Sequence, residues 1–317
     1  MKARLIFTLV AASTLALAVT GSTNSQPLKG KTRTTVASSA KRPVYGQKVT
    51  FTATVTRRSG TGKLSGKVMF YDGVILVGVA ALRPAEFLRA TFVTSVLAVR
   101  THSIRAVYSG NSKFGGGASR VLTVKCDKST TTQDDPELRL ASVFGQPVTL
   151  TTTVRAVKPS TAIPKGSVQF KDGGVFVATA DVDANANAIY KTSTLGVGTH
   201  VIVATYTGGT NFKSSTASPL TVTVGKASTT LTVVGSVNDS PAELSVTFTV
   251  TVTPVGPGAG APSGTIQFAN GNTYLGSTTV NQGTLTTKLP RGTQTVTATY
   301  SGDGNFTGSS SSVKVTA

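Results

Sequence analysis

The chain has 317 residues, of which 39% are hydrophobic and only 14% are charged, and its formal net charge is +19. This length suits two or three domains, and the hydrophobic fraction is sufficient for packed cores, so a mainly disordered chain is excluded. Abundant Thr, Ser, Val and Gly favour strands over helices, because β-branched side chains fit a pleated, half-buried surface. We therefore predict an all-β fold.

The N-terminus has the pattern of a signal peptide. Lys2 and Arg4 precede an apolar run over residues 5–19, which contains small residues suited to cleavage. A lone membrane anchor is the alternative, but the run is shorter than the roughly 20 residues that span a bilayer. We predict a signal peptide over 1–21, an exposed lead-in over 22–32, and a secreted or cell-surface protein with no transmembrane segment in its mature chain.

Three sequence motifs then recur in the same order three times, at separations of 94 to 100 positions. Such a period indicates tandem domains. We predict a basic domain 1 over 33–126, domain 2 over 127–226 and domain 3 over 227–317. The motifs occupy residues 45–55, 144–154 and 244–252; residues 66–73, 166–173 and 264–271; and residues 104–110, 202–208 and 296–302.

Each motif reads as a strand or a strand with its turn. Val49, Phe51, Ala53 and Val55 alternate with threonines, as expected for a strand with one buried face. An Asp-Gly or Asn-Gly pair follows the second motif in every repeat and predicts a tight hairpin. Several short strands with regular turn signals predict a β-sandwich in each domain. The predicted hairpin pairs are Asp72-Gly73, Asp172-Gly173 and Asn270-Gly271.

Together these motifs resemble the bacterial Ig-like domain repeat family over nearly the whole mature chain. The resemblance implies three tandem immunoglobulin-like β-sandwiches and an extracellular structural or adhesive role, with no particular ligand. One departure concerns the start of the third motif, where domains 2 and 3 have Gly198 and Gly292 but domain 1 has Arg100.

The residues that catalysis needs are scarce. His102 and His200 occupy the same position in successive repeats, which favours a structural role, and they lie in different domains. No spacing typical of metal ligands occurs, so we predict neither an enzyme nor a metal or cofactor site. Cys126 is the only cysteine. It therefore cannot form an intramolecular disulfide, and we interpret it as incidental, with intermolecular pairing as the alternative.

Calcium and sugars are two further candidate ligands. Calcium would need 6 to 8 oxygen ligands, and the acidic turns at Asp181, Asp183 and 302–305 favour an ordinary turn role. Sugar platforms are usually aromatic, yet the chain has no tryptophan. We expect Tyr71, Tyr190 and Tyr274 to be exposed, whereas the recurring Tyr108, Tyr206 and Tyr300 are expected to be half-buried structural residues.

The positive charge is concentrated in domain 1. Residues 33–125 contain 15 Lys and Arg against two acidic residues, a net +13, whereas residues 129–226 give +2 and residues 228–317 give zero. A basic surface attracts anionic partners. The alternative is that these charges form a solvated surface that binds no partner. No nucleic-acid recognition motif accompanies them. The predicted anion-binding patch comprises Lys41, Arg42, Arg57, Arg58, Lys63 and Lys67.

From these observations we expect a non-catalytic, secreted or surface-bound structural and adhesive protein. Its first domain would dock to anionic polysaccharide or other envelope components. The alternative is an extracellular carbohydrate-binding protein that acts through exposed tyrosines. Salt sensitivity separates the two, because charge-driven binding weakens as ionic strength rises.

Overall fold

The computed structural model describes residues 28–83, 88–137, 142–240 and 243–316. The predicted signal peptide lies outside these residues, and the predicted lead-in is described only from residue 28. Within the described part of the chain, all regular structure is β, and no helix is long and apolar enough to cross a membrane. The prediction of an all-β fold is therefore confirmed.

Domain 1 is a sandwich of two antiparallel sheets. One sheet has the strand order β1-β2-β5, and the other has the order β4-β3-β6, with β7 and β8 both pairing with β6. The strands are β1 (Thr32–Ser38), β2 (Val49–Arg57), β3 (Lys67–Asp72), β4 (Ile75–Ala81), β5 (Arg89–Thr94), β6 (Thr101–Tyr108), β7 (Gly117–Ala118) and β8 (Leu122–Lys125).

Domain 2 repeats this arrangement. Its sheets have the orders β14-β11-β9 and β10-β17-β15-β12-β13, with β16 also on β15, and only the β10–β17 pair is parallel among them. The strands are β9 (Thr131–Gln133), β10 (Ser142–Val143), β11 (Val148–Ala156), β12 (Ser167–Asp172), β13 (Val175–Asp181), β14 (Asn187–Thr192), β15 (Gly198–Tyr206), β16 (Ser215–Thr216) and β17 (Leu220–Gly225).

Domain 3 has fewer and longer strands. Its sheets have the orders β18-β19-β22 and β21-β20-β23-β24. The strands are β18 (Thr229–Ser240), β19 (Glu243–Pro254), β20 (Thr265–Asn270), β21 (Thr273–Thr279), β22 (Thr284–Lys288), β23 (Thr293–Tyr300) and β24 (Ser309–Thr316).

Each domain has its own hydrophobic core between its two sheets. The predicted alternation is confirmed in β2, where Val49, Phe51, Ala53 and Val55 are all buried. The recurring tyrosines are wrongly predicted in one respect, since they are fully buried and not half-buried. They end a core strand, and in domains 1 and 2 the ring lies inside while the hydroxyl reaches a backbone carbonyl. These residues are Tyr108, Tyr206 and Tyr300.

The chain direction gives domain 1 two distinct ends. The inner end, from which the chain passes into domain 2, comprises the turn 44–47, the hairpin 73–74, the loop 95–100 and the linker 126–128. The outer end comprises segment 28–31 and the loops 58–66 and 109–116. The nine residues of β2 separate the two ends, and the distance from its first to its last residue is about 26 Å at roughly 3.3 Å per residue.

Candidate functional site

The aromatic-Gly-Gln sequence of the first motif folds into a tight turn at the inner end of domain 1. The Gln47 N–H donates to the Val44 carbonyl over 3.0 Å, and the Gln47 side-chain oxygen accepts the Val44 N–H over 3.1 Å. Gly46 has a φ of +79°, a conformation that favours glycine. The turn therefore fixes the direction in which Tyr45 projects.

Tyr45 projects onto domain 2. Its ring meets the Phe212 ring edge-on, with centroids 5.5 Å apart and planes at 81°. The Gly46 carbonyl accepts both the N–H and the hydroxyl of Thr161, at 3.2 and 3.1 Å. An alanine Cβ at position 46 would lie 2.5 Å from the Ala162 Cβ. The turn is therefore an interdomain joint in which glycine is required by its conformation and by close packing.

The joint between domains 2 and 3 repeats the first one. Phe144 meets Phe306 with the same centroid distance of 5.5 Å and the same angle of 81°. The Phe144 carbonyl accepts the Ala259 N–H over 3.3 Å, and Gly145 has a φ of +75°. A Cβ at position 145 would lie 2.1 Å from the Ala259 carbonyl oxygen. The sequence showed this motif as a repeat but gave no sign that it joins domains.

The outer end of domain 1 carries a cluster of exposed cations. Backbone hydrogen bonds hold it together: the Lys31 carbonyl accepts the Arg58 N–H over 2.8 Å, and the Lys113 carbonyl accepts the Gly30 N–H over 2.9 Å. The Arg57 guanidinium donates to the Gly62 carbonyl over 3.2 Å. We call this cluster the cationic tip; its residues are Lys29, Lys31, Arg57, Arg58, Lys63, Lys67 and Lys113.

The structure brings together only part of the predicted patch. Lys41 and Arg42 lie at the inner end, where Arg42 forms a 2.9 Å ion pair with Asp127. The other four predicted residues belong to the cationic tip. Lys29, Lys31 and Lys113 were missed because they are distant in sequence. The repeat could have revealed them, because Gly30 corresponds to the linker residues Ser129 and Ala227. Each of the three forms a parallel bridge with a phenylalanine, and these are Phe114, Phe212 and Phe306 in that order.

The charge of the cationic tip is not compensated locally. Of the acidic residues in 33–126, the structure describes only Asp72, and it is buried at the inner end. In domains 2 and 3 the corresponding outer ends are covered by the preceding domain through Phe212 and Phe306. Among the described residues, no domain covers the cationic tip. Within the described part of the chain, the tip is therefore an exposed and strongly positive surface.

His102 lies at the inner end of domain 1, opposite the cationic tip, and His200 has the equivalent position in domain 2. Both form structural contacts within their own domains. In domain 1 the His102 Nδ1 lies 2.8 Å from Asp72 Oδ2, and its Nε2 lies 2.9 Å from the Ala98 carbonyl. Asp72 Oδ1 accepts the Ser103 N–H over 3.0 Å, and its Oδ2 also receives Arg100. Burial raises the pKa of Asp72, but the hydrogen bonds and the positive charges of His102 and Arg100 outweigh it and leave the pKa below its usual value.

Domain 2 contains the same pair. His200 Nδ1 lies 2.6 Å from Asp172 Oδ2, and its Nε2 lies 3.0 Å from the Gly196 carbonyl. Both ring nitrogens face acceptors, and only the protonated imidazole donates to both. The Gly196 carbonyl and the Asp172 carboxylate therefore raise the pKa of His200, against the opposing effect of burial.

In domain 3 neutral side chains replace the pair. The Asn270 amide donates to the Gln294 side-chain oxygen over 2.7 Å, and the Gln294 amide donates to the Pro290 carbonyl over 3.3 Å. The contact of Gln294 with the Pro290 carbonyl matches the contacts that the histidine Nε2 atoms of domains 1 and 2 make with backbone carbonyls. In each domain the pair therefore connects the hairpin after the second motif to the loop before the third motif. An aspartate–histidine pair and a neutral amide pair both make this connection.

The raised pKa of His200 predicts a pH dependence of the stability of domain 2. Because the folded-state pKa of His200 is raised above 6.5, the stability it contributes is present below pH 6.5 and is lost as the pH rises through the folded pKa. Hydrogen exchange measured by mass spectrometry from pH 5 to 9, corrected for intrinsic rates, should show domain 2 peptides losing protection. His200→Gln should remove that step, and an unchanged step in this variant would contradict the assignment.

Among the described residues, the acidic side chains considered for calcium do not form a metal site. Both carboxylate oxygens of Asp303 accept hydrogen bonds within the turn, all over 2.8 Å. One oxygen accepts the N–H groups of Asn305 and Phe306, and the other accepts the N–H and the hydroxyl of Ser263. No group of three potential metal ligands occurs among the described residues. Asp183 likewise accepts the N–H groups of Asn185 and Asn187 over 2.8 Å, so Asp183 and Asp303 both serve as turn acceptors, the role expected for them.

The three tyrosines that were expected to be exposed, Tyr71, Tyr190 and Tyr274, lie in three different domains. Only Tyr274 is well exposed, at 61%. The expectation for Tyr190 is wrong, because its ring packs against Phe170 with centroids 5.4 Å apart. Tyr71 is half-buried. The structure therefore brings no aromatic platform together from these residues.

Cys126 is buried at the inner end. Its N–H donates to the Arg100 carbonyl over 2.9 Å, its thiol lies 3.4 Å from the Leu97 carbonyl, and it is 1% exposed. Burial raises the pKa of its thiol, with a further contribution from Asp127. A second chain therefore cannot reach this sulfur in the folded domain.

Comparison with known families decides the relationship. The model of the bacterial Ig-like domain (group 3) matches the chain three times, over residues 34–126, 138–225 and 229–317. The chain belongs to this family. As a bacterial Ig-like repeat protein, it has one family domain for each of the three sandwiches described above.

Solved structures resemble this bacterial Ig-like protein at low identity. The Escherichia coli adhesin FdeC is 14% identical, covering 87% of this chain and 95% of that one, with a TM-score of 0.27. The FN1–FN3 domains of chicken CNTN1 are 9% identical, covering 91% and 99%, with a TM-score of 0.24. The fibronectin(III)-like modules of Clostridium thermocellum CbhA are 18% identical, covering 60% and 93%, with a TM-score of 0.24. No match was found among curated proteins.

Proposed function

We propose that this bacterial Ig-like repeat protein is a non-catalytic structural and adhesive protein of the cell exterior. In this proposal it docks to anionic surface polymers, such as acidic polysaccharide, through the cationic tip. The observation that carries the proposal is the tip itself, in which seven exposed Lys and Arg side chains share the outer end of domain 1. A cluster of one charge sign raises the local concentration of an oppositely charged polymer.

The joints support the structural part of the proposal. Each joint combines an edge-on aromatic pair, a backbone hydrogen bond and a close glycine contact. Such a pair contributes about 0.5–1.5 kcal/mol beyond the burial of its area. Domains held in this way transmit a fixed orientation along the chain. Domains 2 and 3 then act as a spacer that presents the cationic tip.

Neutralising the tip should weaken docking while leaving the fold intact. We expect the full chain with Arg57, Arg58, Lys63 and Lys113 all changed to Gln to bind acidic polysaccharide about tenfold more weakly, since four exposed ion pairs of about 0.2–1 kcal/mol each contribute about 0.8–4 kcal/mol together. Co-sedimentation with alginate, and with neutral dextran for comparison, across a salt series measures this effect. Binding of the unmodified chain should weaken as salt rises.

The matched control removes the same charge elsewhere in domain 1. Lys41, Lys48, Arg105 and Arg120 are all exposed and lie outside the tip, so changing these four to Gln should leave most of the affinity. Equal losses in the two variants would show that only the net charge of the domain matters. Salt-independent binding to dextran would instead support the carbohydrate-binding alternative.

A further inference from the structure

Domain 1 has a cleft at its inner end, away from the cationic tip. It opens between the edge strands β4 and β5, penetrates between the two sheets and has a volume of about 490 Å³. Its floor is formed by Phe51, Phe92 and Ile104, which come from both sheets. Clefts of about 300–1,000 Å³ with mainly apolar walls are typical of small-molecule sites.

The rim of this cleft exposes apolar side chains to solvent. Ile75 is 61% exposed and Val96 is 78% exposed, and both line the cleft. Val77 continues the same rim along β4. Exposed apolar side chains that surround a cavity favour an apolar occupant, because covering them removes their contact with water.

The polar wall of the cleft contains an exposed guanidinium. Arg100 and His102 both contact the same oxygen of Asp72, and the two ring nitrogens of His102 face oxygen acceptors. Arg100 remains 52% exposed. One of its terminal nitrogens also donates to the Thr101 carbonyl over 3.2 Å, and its remaining N–H groups can meet an anion at the end of the apolar cleft.

This combination is particular to domain 1. Arg100 corresponds to Gly198 and Gly292 in the other domains, and Val96 corresponds to Thr194 in domain 2. The underlying Asp–His pair is shared with domain 2, so Arg100 is an addition to a common framework. A structural role alone does not require this arginine, because domain 2 forms the pair with a glycine at that position.

We propose that this cleft binds a small amphipathic carboxylate, with its hydrocarbon chain between the sheets and its carboxylate on Arg100. The apolar floor and rim accept the chain. The guanidinium supplies charge-assisted hydrogen bonds of the kind that select carboxylates over neutral head groups. This inference does not depend on polymer docking at the cationic tip, because the two surfaces lie at opposite ends of the domain.

Isothermal titration of the full chain with octanoate, octanol and octylammonium tests the proposal. Octanoate should bind most tightly and octylammonium least. Arg100→Gln should weaken octanoate binding by about tenfold or more, because a charge-assisted hydrogen bond is lost, and should leave octanol binding unchanged. Arg105→Gln removes the same charge from an exposed site of β6 outside the cleft and should leave octanoate affinity unchanged.

A fluorescence readout locates the bound molecule. The chain has no tryptophan, so Val96→Trp places a single reporter at the rim, and octanoate should shift its emission with the midpoint seen by titration. Equal binding of octanoate and octanol, equal losses in the two arginine variants, or no binding would each overturn the proposal. The tip variant should retain octanoate binding, which separates failure of this inference from failure of the proposed function.

Discussion

Changing Asp72 to alanine is expected to destabilise domain 1 by about 3 kcal/mol, the range seen when one partner of a buried ion pair is removed. Asp72 accepts hydrogen bonds from Arg100, His102 and the Ser103 N–H, and its side chain is 8% exposed. Without it, His102 loses the partner of Nδ1 inside the domain. Denaturant titration followed by hydrogen exchange of domain 1 peptides measures the loss.

A double variant controls for simple cavity formation. Asp72→Asn with His102→Gln copies the neutral pair that Asn270 and Gln294 form in domain 3. We expect this variant to lose about 1 kcal/mol or less, because a neutral hydrogen bond replaces the ionic one. If it is as unstable as Asp72→Ala, the pair does not act as an exchangeable fastening, and the interpretation of the three domains as equivalents at this position is wrong.

Changing Gly145 to alanine is expected to release domain 3 from domain 2 without unfolding either domain. The new Cβ would lie 2.1 Å from the Ala259 carbonyl oxygen, and the φ of +75° adds backbone strain of about 1–2 kcal/mol. The aromatic contact between Phe144 and Phe306 would then open. Small-angle X-ray scattering should show a broader distribution of shapes, and NMR relaxation should show domain 3 tumbling more independently.

Gly173→Ala is the matched control for this variant. Gly173 also has a positive φ, of +54°, but a Cβ there meets no atom within 4 Å. It therefore carries the backbone strain without the steric clash. Scattering that changes equally in both variants would attribute the effect to strain in domain 2, and unchanged scattering in Gly145→Ala would show that the joint does not hold the domains.

The fold was predictable from sequence because its signal is repetitive and local. The alternation in β2 and the hairpin glycines specify strands and turns directly, and three copies reinforce each assignment. The burial of Tyr108 was underestimated since its ring ends a strand, where the pattern does not show that loop 58–66 closes over the hydroxyl through Ser65.

The candidate sites were less predictable because they depend on contacts between distant segments. The cationic tip joins residues 29–31, 57–67 and 113, and only the sheet topology shows that these segments share one end. Lys41 and Arg42 are close to Arg57 in sequence, but the length of β2 separates them. The cleft arises from a gap between β4 and β5 that no residue pattern encodes, although the exchange of glycine for Arg100 marked its position.

The two joints also have a consequence for how the domains depend on one another. They share a ring distance, an interplanar angle and equivalent glycines, while their hydrogen bonds use different carbonyls, those of Gly46 and Phe144. The same aromatic and glycine positions of the repeat therefore hold each domain to the next one. The joints use positions that the repeat supplies to more than one domain, whereas the tip and the cleft each depend on residues found in domain 1 alone.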